Sequence, residues 1–268
     1  MGRWCRAGLI VAVVVGLVVG TVWALQRRLI YFPDRAAPVL PAAVEEVALA
    51  TDDGLRLAAW LVAPAGPSTT SVAALVAPGN AGNRADRVAL ARALAGAGIT
   101  VLLLDYRGYG GNPGHPSEDG LRRDARAAWD HLTGAGGFTA DRIILFGESL
   151  GAAVVTGLAA DLPQRPRGLV LRSPFASLAE VGKAHYPFLP VGLLLRDRFP
   201  VADRIRTVLA PTVVVYGTGD TVVPPEQSRT VAEAAANLVD SVAVQGADHN
   251  DAVLVEGTAV VDAVRRLG

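Results

Sequence analysis

The sequence predicts an α/β domain: a mostly parallel, eight-stranded sheet with helices on both faces and a small lid, behind one N-terminal membrane-spanning helix. Three observations carry that prediction. Two opening β-rich runs flank Asp52-Asp53-Gly54, an antiparallel hairpin signal. After them, apolar runs alternate with helical stretches to the C-terminus, the pattern of repeated βα units. Ahead of both stands an uninterrupted apolar segment, Ala7 to Leu25.

That segment, as a helix rising ~1.5 Å per residue, is about 28 Å long, close to the ~30 Å hydrocarbon core of a bilayer. Arg3 and Arg6 flank it on one side, Arg27 and Arg28 on the other, so the basic residues set no orientation. The rival is a cleaved signal peptide with Val22 and Ala24 as the small-residue cleavage pair, which would make the protein secreted; its apolar region is usually ~7–15 residues. Residues 1–28 are therefore read as an anchor or signal peptide. Residues 29–43, with three prolines and the pair Tyr31-Phe32, form a connector to a domain spanning 44–268.

Within the domain, Val44–Ala50 and Leu55–Val62 read as the hairpin strands. Strand Val72–Ala77 precedes a helix near Arg84–Ala97, and strand Ile99–Leu104 a helix near Glu118–Leu132. Strand Arg142–Phe146 leads to a helix after Ser149, then strand Gly168–Leu171. The one sizeable insertion, a short lid at about 174–206, holds HYPFLPVGLLLRDRF. Strand Thr212–Tyr216, a helix near Pro225–Ala236, a strand near Ser241–Val244 and a helix near Asn250–Arg266 close the chain.

Composition narrows the function. At 51% hydrophobic and 19% charged the chain has ample apolar surface for a core. Its 25 basic residues balance 25 acidic ones, so no basic field exists to hold nucleic acid. The single cysteine, Cys5, excludes an internal disulfide and is expected to be an inert thiol. The four histidines are dispersed, so no metal site is expected. A dinucleotide cofactor is not expected either, because no GxGxxG-like spacing follows the first strand.

The central chemical signal is Gly147-Glu148-Ser149-Leu150-Gly151, a G-x-S-x-G between the apolar run RIILF and the small-residue run AAVVTGLAA. A serine there sits on a tight strand-to-helix turn with its hydroxyl above the carboxyl edge of the sheet. The flanking glycines are required because side chains would collide with the neighbouring strand and helix. The Leu150 backbone N–H then points from the helix N-terminus toward a developing oxyanion. Motif partners follow the serine in the order Ser…Asp/Glu…His. His115 and His131 precede it, and His185 lies in an irregular proline-rich stretch. His249, in GADHND after the last strand, is the candidate base. Asp220, in VVVYGTGDTVVP after a strong strand, is the candidate orienting acid. The side chain of Asp248 should point elsewhere, and Asp251 reads as a first-turn helix acid. A second oxyanion donor is expected from the backbone N–H of Asn80, in the loop Pro78–Asn83 after the third strand.

These features, in this order, resemble the α/β-hydrolase superfamily from about Val44 to the C-terminus. QRRLIYFP, APGNAGN, DYRGYGGNPG and RSPFASL are similar to a membrane-anchored branch that includes serine-aminopeptidase-like and depalmitoylase-like hydrolases. The resemblance implies the α/β-hydrolase fold and a Ser149–Asp220–His249 triad. That branch usually carries His before the oxyanion-loop glycine, where this chain has Pro78. The backbone donor is kept, and loop shape and substrate fit are expected to differ. In DYRGYG, Asp105, Arg107 and Tyr109 are expected to be structural, the arginine tying a carbonyl-rich loop together.

An apolar lid near a membrane suits an acyl chain, so the expected substrate is a small-molecule or lipid acyl ester or thioester, with the membrane met through the N-terminal helix. Two other readings stay open: an aminopeptidase-like amide hydrolase, and a non-catalytic membrane-tethered binding module on the same fold. Nothing in the sequence sets an oligomeric state.

Overall fold

Why the sheet takes its place is visible in the alternation of its central strands. The computed structural model describes residues 2–64, 66 and 71–268, without the side chains of residues 3, 5, 6, 8, 11 and 15. The expectations for the Cys5 thiol and for the Arg3 and Arg6 flank concern side chains outside that set. Helix α1 (Arg3–Ile30) runs two residues past the expected end of the anchor and is followed by a two-residue strand, β1 (Phe32–Pro33). The hairpin is β2 (Glu45–Ala50) and β3 (Arg56–Val62), with Gly54 at φ +88° in the turn. Then come β4 (Val72–Ala77), the short β5 (Ala81–Gly82), α2 (Val88–Gly96), β6 (Ile99–Leu103) and α3 (Glu118–Thr133). β7 (Ile143–Glu148), α4 (Leu150–Asp161) and β8 (Gly168–Arg172) form the centre. The insertion after β8 carries α5 (Leu178–His185), α6 (Val191–Leu194) and α7 (Val201–Arg204). β9 (Thr212–Gly217), α8 (Pro225–Ala234), β10 (Leu238–Val244), α9 (Ala252–Val255) and α10 (Thr258–Leu267) complete the chain.

The eight long strands form one sheet in the order β10-β9-β8-β7-β4-β6-β3-β2. β2 and β3 pair antiparallel, as does β3 with β6; every other neighbour is parallel. Side chains alternate across the sheet. Ile143, Leu145, Leu169 and Leu171 face the side covered by α3 and α4, with Leu121, Ala125, Leu150 and Leu158. Ile144, Phe146, Val170 and Val213 face the side covered by α2 and α10, with Leu90, Leu94, Val260 and Val264. All of these are buried, and each valine, leucine, isoleucine or phenylalanine among them contributes roughly 1.5–3 kcal/mol when fully removed from water. The expected final helix is two helices, α9 and α10, broken at Glu256-Gly257, and it starts two residues later than read from the sequence.

Candidate active site

The chain leaves β4 toward β6 on one side and returns through β7 on the other. This divergence opens a crevice at the carboxyl ends of β4 and β7, the place where open α/β sheets bind ligands. The Pro78–Asn83 loop follows β4 and Ser149 follows β7, so both sequence candidates meet there.

Ser149 has φ +52° and ψ −111°, a left-handed turn that costs roughly 1–3 kcal/mol for a non-glycine residue. Its N–H donates to the Arg172 carbonyl at 2.8 Å, and its own carbonyl accepts from the Ala152 N–H at 3.0 Å. The two elbow glycines are sterically required. A Cβ on Gly147 would lie 2.5 Å from Ala152 Cα, and one on Gly151 only 2.1 Å from the Ala77 carbonyl oxygen. Leu150 is the first residue of α4, so its N–H has no acceptor within the helix.

On the facing loops, His249 Nδ1 and Asp220 Oδ2 are 2.7 Å apart, and both residues are 5% exposed. The other Asp220 oxygen accepts from the Val222 and Val223 N–H groups at 3.0 and 2.7 Å, which fixes the carboxylate plane. His249 lies in the loop before α9 rather than opening a helix. Asp248 points away from the imidazole, accepting from the N–H and hydroxyl of Thr221 at 2.7 and 3.0 Å, and so stitches the acid loop to the histidine loop. Those N–H donors, from Thr221 and from His249 itself, hold the Asp248 carboxyl below its ordinary range. Asp251 accepts from the Asp248 N–H at 2.8 Å instead of serving the helix.

One residue joins the two halves. The Arg172 carbonyl takes the Ser149 N–H, while its Nη1 donates to the His249 carbonyl at 2.6 Å. Arg172 is itself held by Glu148, the variable residue of the elbow motif, at 3.2 Å. Arg87 donates to the same Glu148 Oε1, and the Gly79 N–H of the Pro78–Asn83 loop meets it at 3.4 Å. Burial alone would raise this carboxyl, but the charges of Arg172 and Arg87, with the hydrogen bonds from Arg87 and Gly79, bring it down to about 2. Glu148 thus ties together the elbow, the Pro78–Asn83 loop and, through Arg172, the loop that carries His249. Sequence reasoning missed it because the partners come from three separated segments, joined only by the register that sets Glu148 beside Arg172.

Asn80 sits at the crevice with its carbonyl accepting from the Phe32 N–H (2.8 Å) and the Tyr109 hydroxyl (2.9 Å). Its side-chain amide donates to the Ile30 carbonyl at 2.8 Å, so that side chain serves the connector. β1 pairs in parallel with β5, and the Gly110 N–H donates to the Asp34 carbonyl, so the connector crosses both the Pro78–Asn83 loop and the 105–112 loop. The roles in DYRGYG differ in detail from the sequence reading. Arg107 binds carboxylates, Asp53 at 2.7 Å and Asp124 at 2.7 Å, rather than loop carbonyls. Arg84 is the arginine that reaches a loop carbonyl, Gly110, at 2.9 Å, while pairing with Asp105 at 2.8 Å. Burial raises the Asp105 carboxyl to about 6 against the pull of Arg84.

His185, at the end of α5, places Nε2 2.9 Å from the Val222 carbonyl, two residues past Asp220. A cleft of about 570 Å³ between the end of α1, α3, α4 and residues 196–204 is lined by Arg27, Asp197, Phe199 and Arg204, and by none of Ser149, Asp220 or His249.

The family model described as serine aminopeptidase, S33 (Hydrolase_4) matches residues 72–200. An uncharacterised protein of Mycobacterium tuberculosis is 49% identical over 270 positions, covering 98% of this chain and 95% of that one. The alpha/beta hydrolase domain-containing protein WAV2 of Arabidopsis thaliana is 32% identical over 241 positions, covering 81% of this chain and 76% of that one. Among solved structures, an esterase of Pyrococcus furiosus shares the fold at a TM-score of 0.71 and 19% identity, covering 88% of this chain and 100% of that one. The order of strands, the serine elbow and these relatives together make the chain a member of the α/β-hydrolase superfamily.

Proposed function

We propose that this chain is a membrane-anchored serine hydrolase that cleaves carboxylic esters or thioesters of acyl chains. The observation that carries the reading is the Asp220–His249 pair at 2.7 Å, held through Arg172 to the backbone of Ser149. Asp220 accepts from Nδ1–H and keeps Nε2 of His249 as the free acceptor. His249 takes the Ser149 proton as Oγ attacks the substrate carbonyl, and the N–H groups of Leu150 and Asn80 meet the developing oxyanion. The imidazolium then protonates the leaving group, and water, activated by the same histidine, releases the acyl group from Ser149. α1 is the anchor: its apolar segment from Ala12 to Ile30 is only 6% buried against the rest of the chain, as a lipid-facing helix requires.

The apolar lid favours acyl chains over charged peptides. The same groups attack amides, and the match to serine aminopeptidases favours that second reading. A chain-length series of p-nitrophenyl esters, assayed with the full chain in detergent, separates them. The acyl reading expects kcat/KM to rise at least tenfold from acetate to medium chains, about 1.4 kcal/mol of added binding in the transition state. Equal rates across the series, with faster turnover of an aminoacyl anilide, would replace it with the amide reading.

A further inference from the structure

We infer that the tip of the lid, residues 186–193, is a second membrane contact that lies in the bilayer interface beside the end of α1; this rests on the reading of α1 as a membrane span. Every residue from 183 to 190 is exposed. Among them and just beyond, Tyr186 is 54%, Phe188 79% and Leu193 85% exposed, a concentration of apolar surface that water-facing loops rarely carry.

The bilayer is named as the occupant because the lid is fastened to the helix that enters it. Gln26 Nε2 donates to the Leu194 carbonyl at 3.1 Å, and its Oε1 accepts from the Arg196 N–H at 2.8 Å. Arg27 forms a two-point pair with the buried Asp197 at 2.9 and 3.0 Å, and the Tyr31 hydroxyl donates to the same carboxylate. The Arg196 guanidinium lies 5.0 Å over the Trp23 ring. Residues 194–197 are therefore at the level of Trp23 to Arg27. That is where an aromatic ring followed by two arginines marks the boundary between hydrocarbon and headgroups. Leu193 and Phe188 project from the segment directly before this clasp. Lys183, Arg196 and Arg198, next to the patch in sequence, and Arg28 at the end of α1 are all exposed and add cations suited to anionic headgroups.

The other flank of the lid ends on the acid loop through His185 and Val222. The segment thus spans from the membrane boundary to the loop that holds Asp220.

The test uses the full chain with its only cysteine replaced (Cys5→Ser) and single environment-sensitive NBD labels at Leu193→Cys, at Leu17→Cys in α1, and at Val239→Cys on the far edge strand. The three sites are all exposed, so the labels disturb little packing. Proteins are reconstituted in vesicles of phosphatidylcholine and phosphatidylglycerol, with and without doxyl-labelled lipid. The inference expects the Leu193 label to shift to the blue and to be quenched at least half as strongly as the Leu17 label, with the Val239 label unaffected. A quenched Leu17 label beside a water-like Leu193 label leaves the span standing and refutes the contact. Two water-like labels refute the span and the contact with it. A blue-shifted Leu193 label that doxyl lipid does not quench shows a protein surface there, such as a second copy of this chain, and also refutes the bilayer as occupant.

Discussion

Replacing Glu148 with Gln keeps the shape of the elbow and removes the buried carboxylate between Arg87 and Arg172, whose side chains are 10% and 1% exposed. Taking one partner from a buried ion pair costs roughly 3–5 kcal/mol, because the remaining charge has no water to turn to. The carboxyl itself gives a similar figure. A drop from 4.5 to about 2, at ~1.4 kcal/mol per unit, corresponds to about 3 kcal/mol of preference for the charged form in the folded state. The sign follows from the lowered value. This stabilisation is fully present above the unfolded carboxyl's 4.5 and is lost as pH falls from there toward 2. In a domain of this size the substitution should lower Tm by roughly 6–12 °C at pH 7, read by scanning calorimetry in detergent. The variant's Tm should also fall less steeply than the native protein's between pH 5 and 3. A Tm change under about 2 °C, or an unchanged acid slope, would refute the claim that Glu148 balances the two arginines.

Gly151→Ala puts a methyl group within 2.1 Å of the Ala77 carbonyl and 2.6 Å of the Pro78 carbonyl, backbone that cannot swing away. The oxyanion loop must shift, so steady-state kinetics should show kcat reduced roughly 10²-fold, as for a misplacement near 1 Å. Asp197→Asn removes the carboxylate shared by Arg27 and Tyr31. Arg27 is 38% exposed and can be rehydrated, so stability should fall by only about 1–2 kcal/mol, while limited proteolysis within 186–196 should speed up several-fold.

What was legible in the sequence was what local rules impose. The elbow stands out because glycine at both flanks is a steric demand, and Asp220 and His249 because each lies on the loop that follows a strand at the carboxyl edge. Three of the four motif stretches that suggested a family are also legible in retrospect as one physical cluster. Ile30 and Phe32 bond Asn80, Tyr109 bonds the same residue, and Asp34 bonds Gly110 and Asn83. What could not be read was cooperative. β1 and β5 are two-residue strands that exist only through each other. The Glu148 network depends on a strand register, and the clasp between Gln26–Arg27 and residues 194–197 joins residues about 170 positions apart. The break between α9 and α10 escaped because the apolar pattern continues through Gly257, where the chain turns all the same.

An activated serine at position 149 is the claim on which the rest depends, and a fluorophosphonate probe reads it directly. Full-length protein and Ser149→Ala should be labelled side by side in detergent, with the adduct placed by peptide mass spectrometry and folding checked by circular dichroism. The account predicts a single adduct on the Ser149 peptide, none in the variant, and a loss of ester turnover on the order of 10⁴-fold or more. Equal labelling of both proteins, or no labelling of folded native protein, would contradict it and leave a binding module on a hydrolase fold.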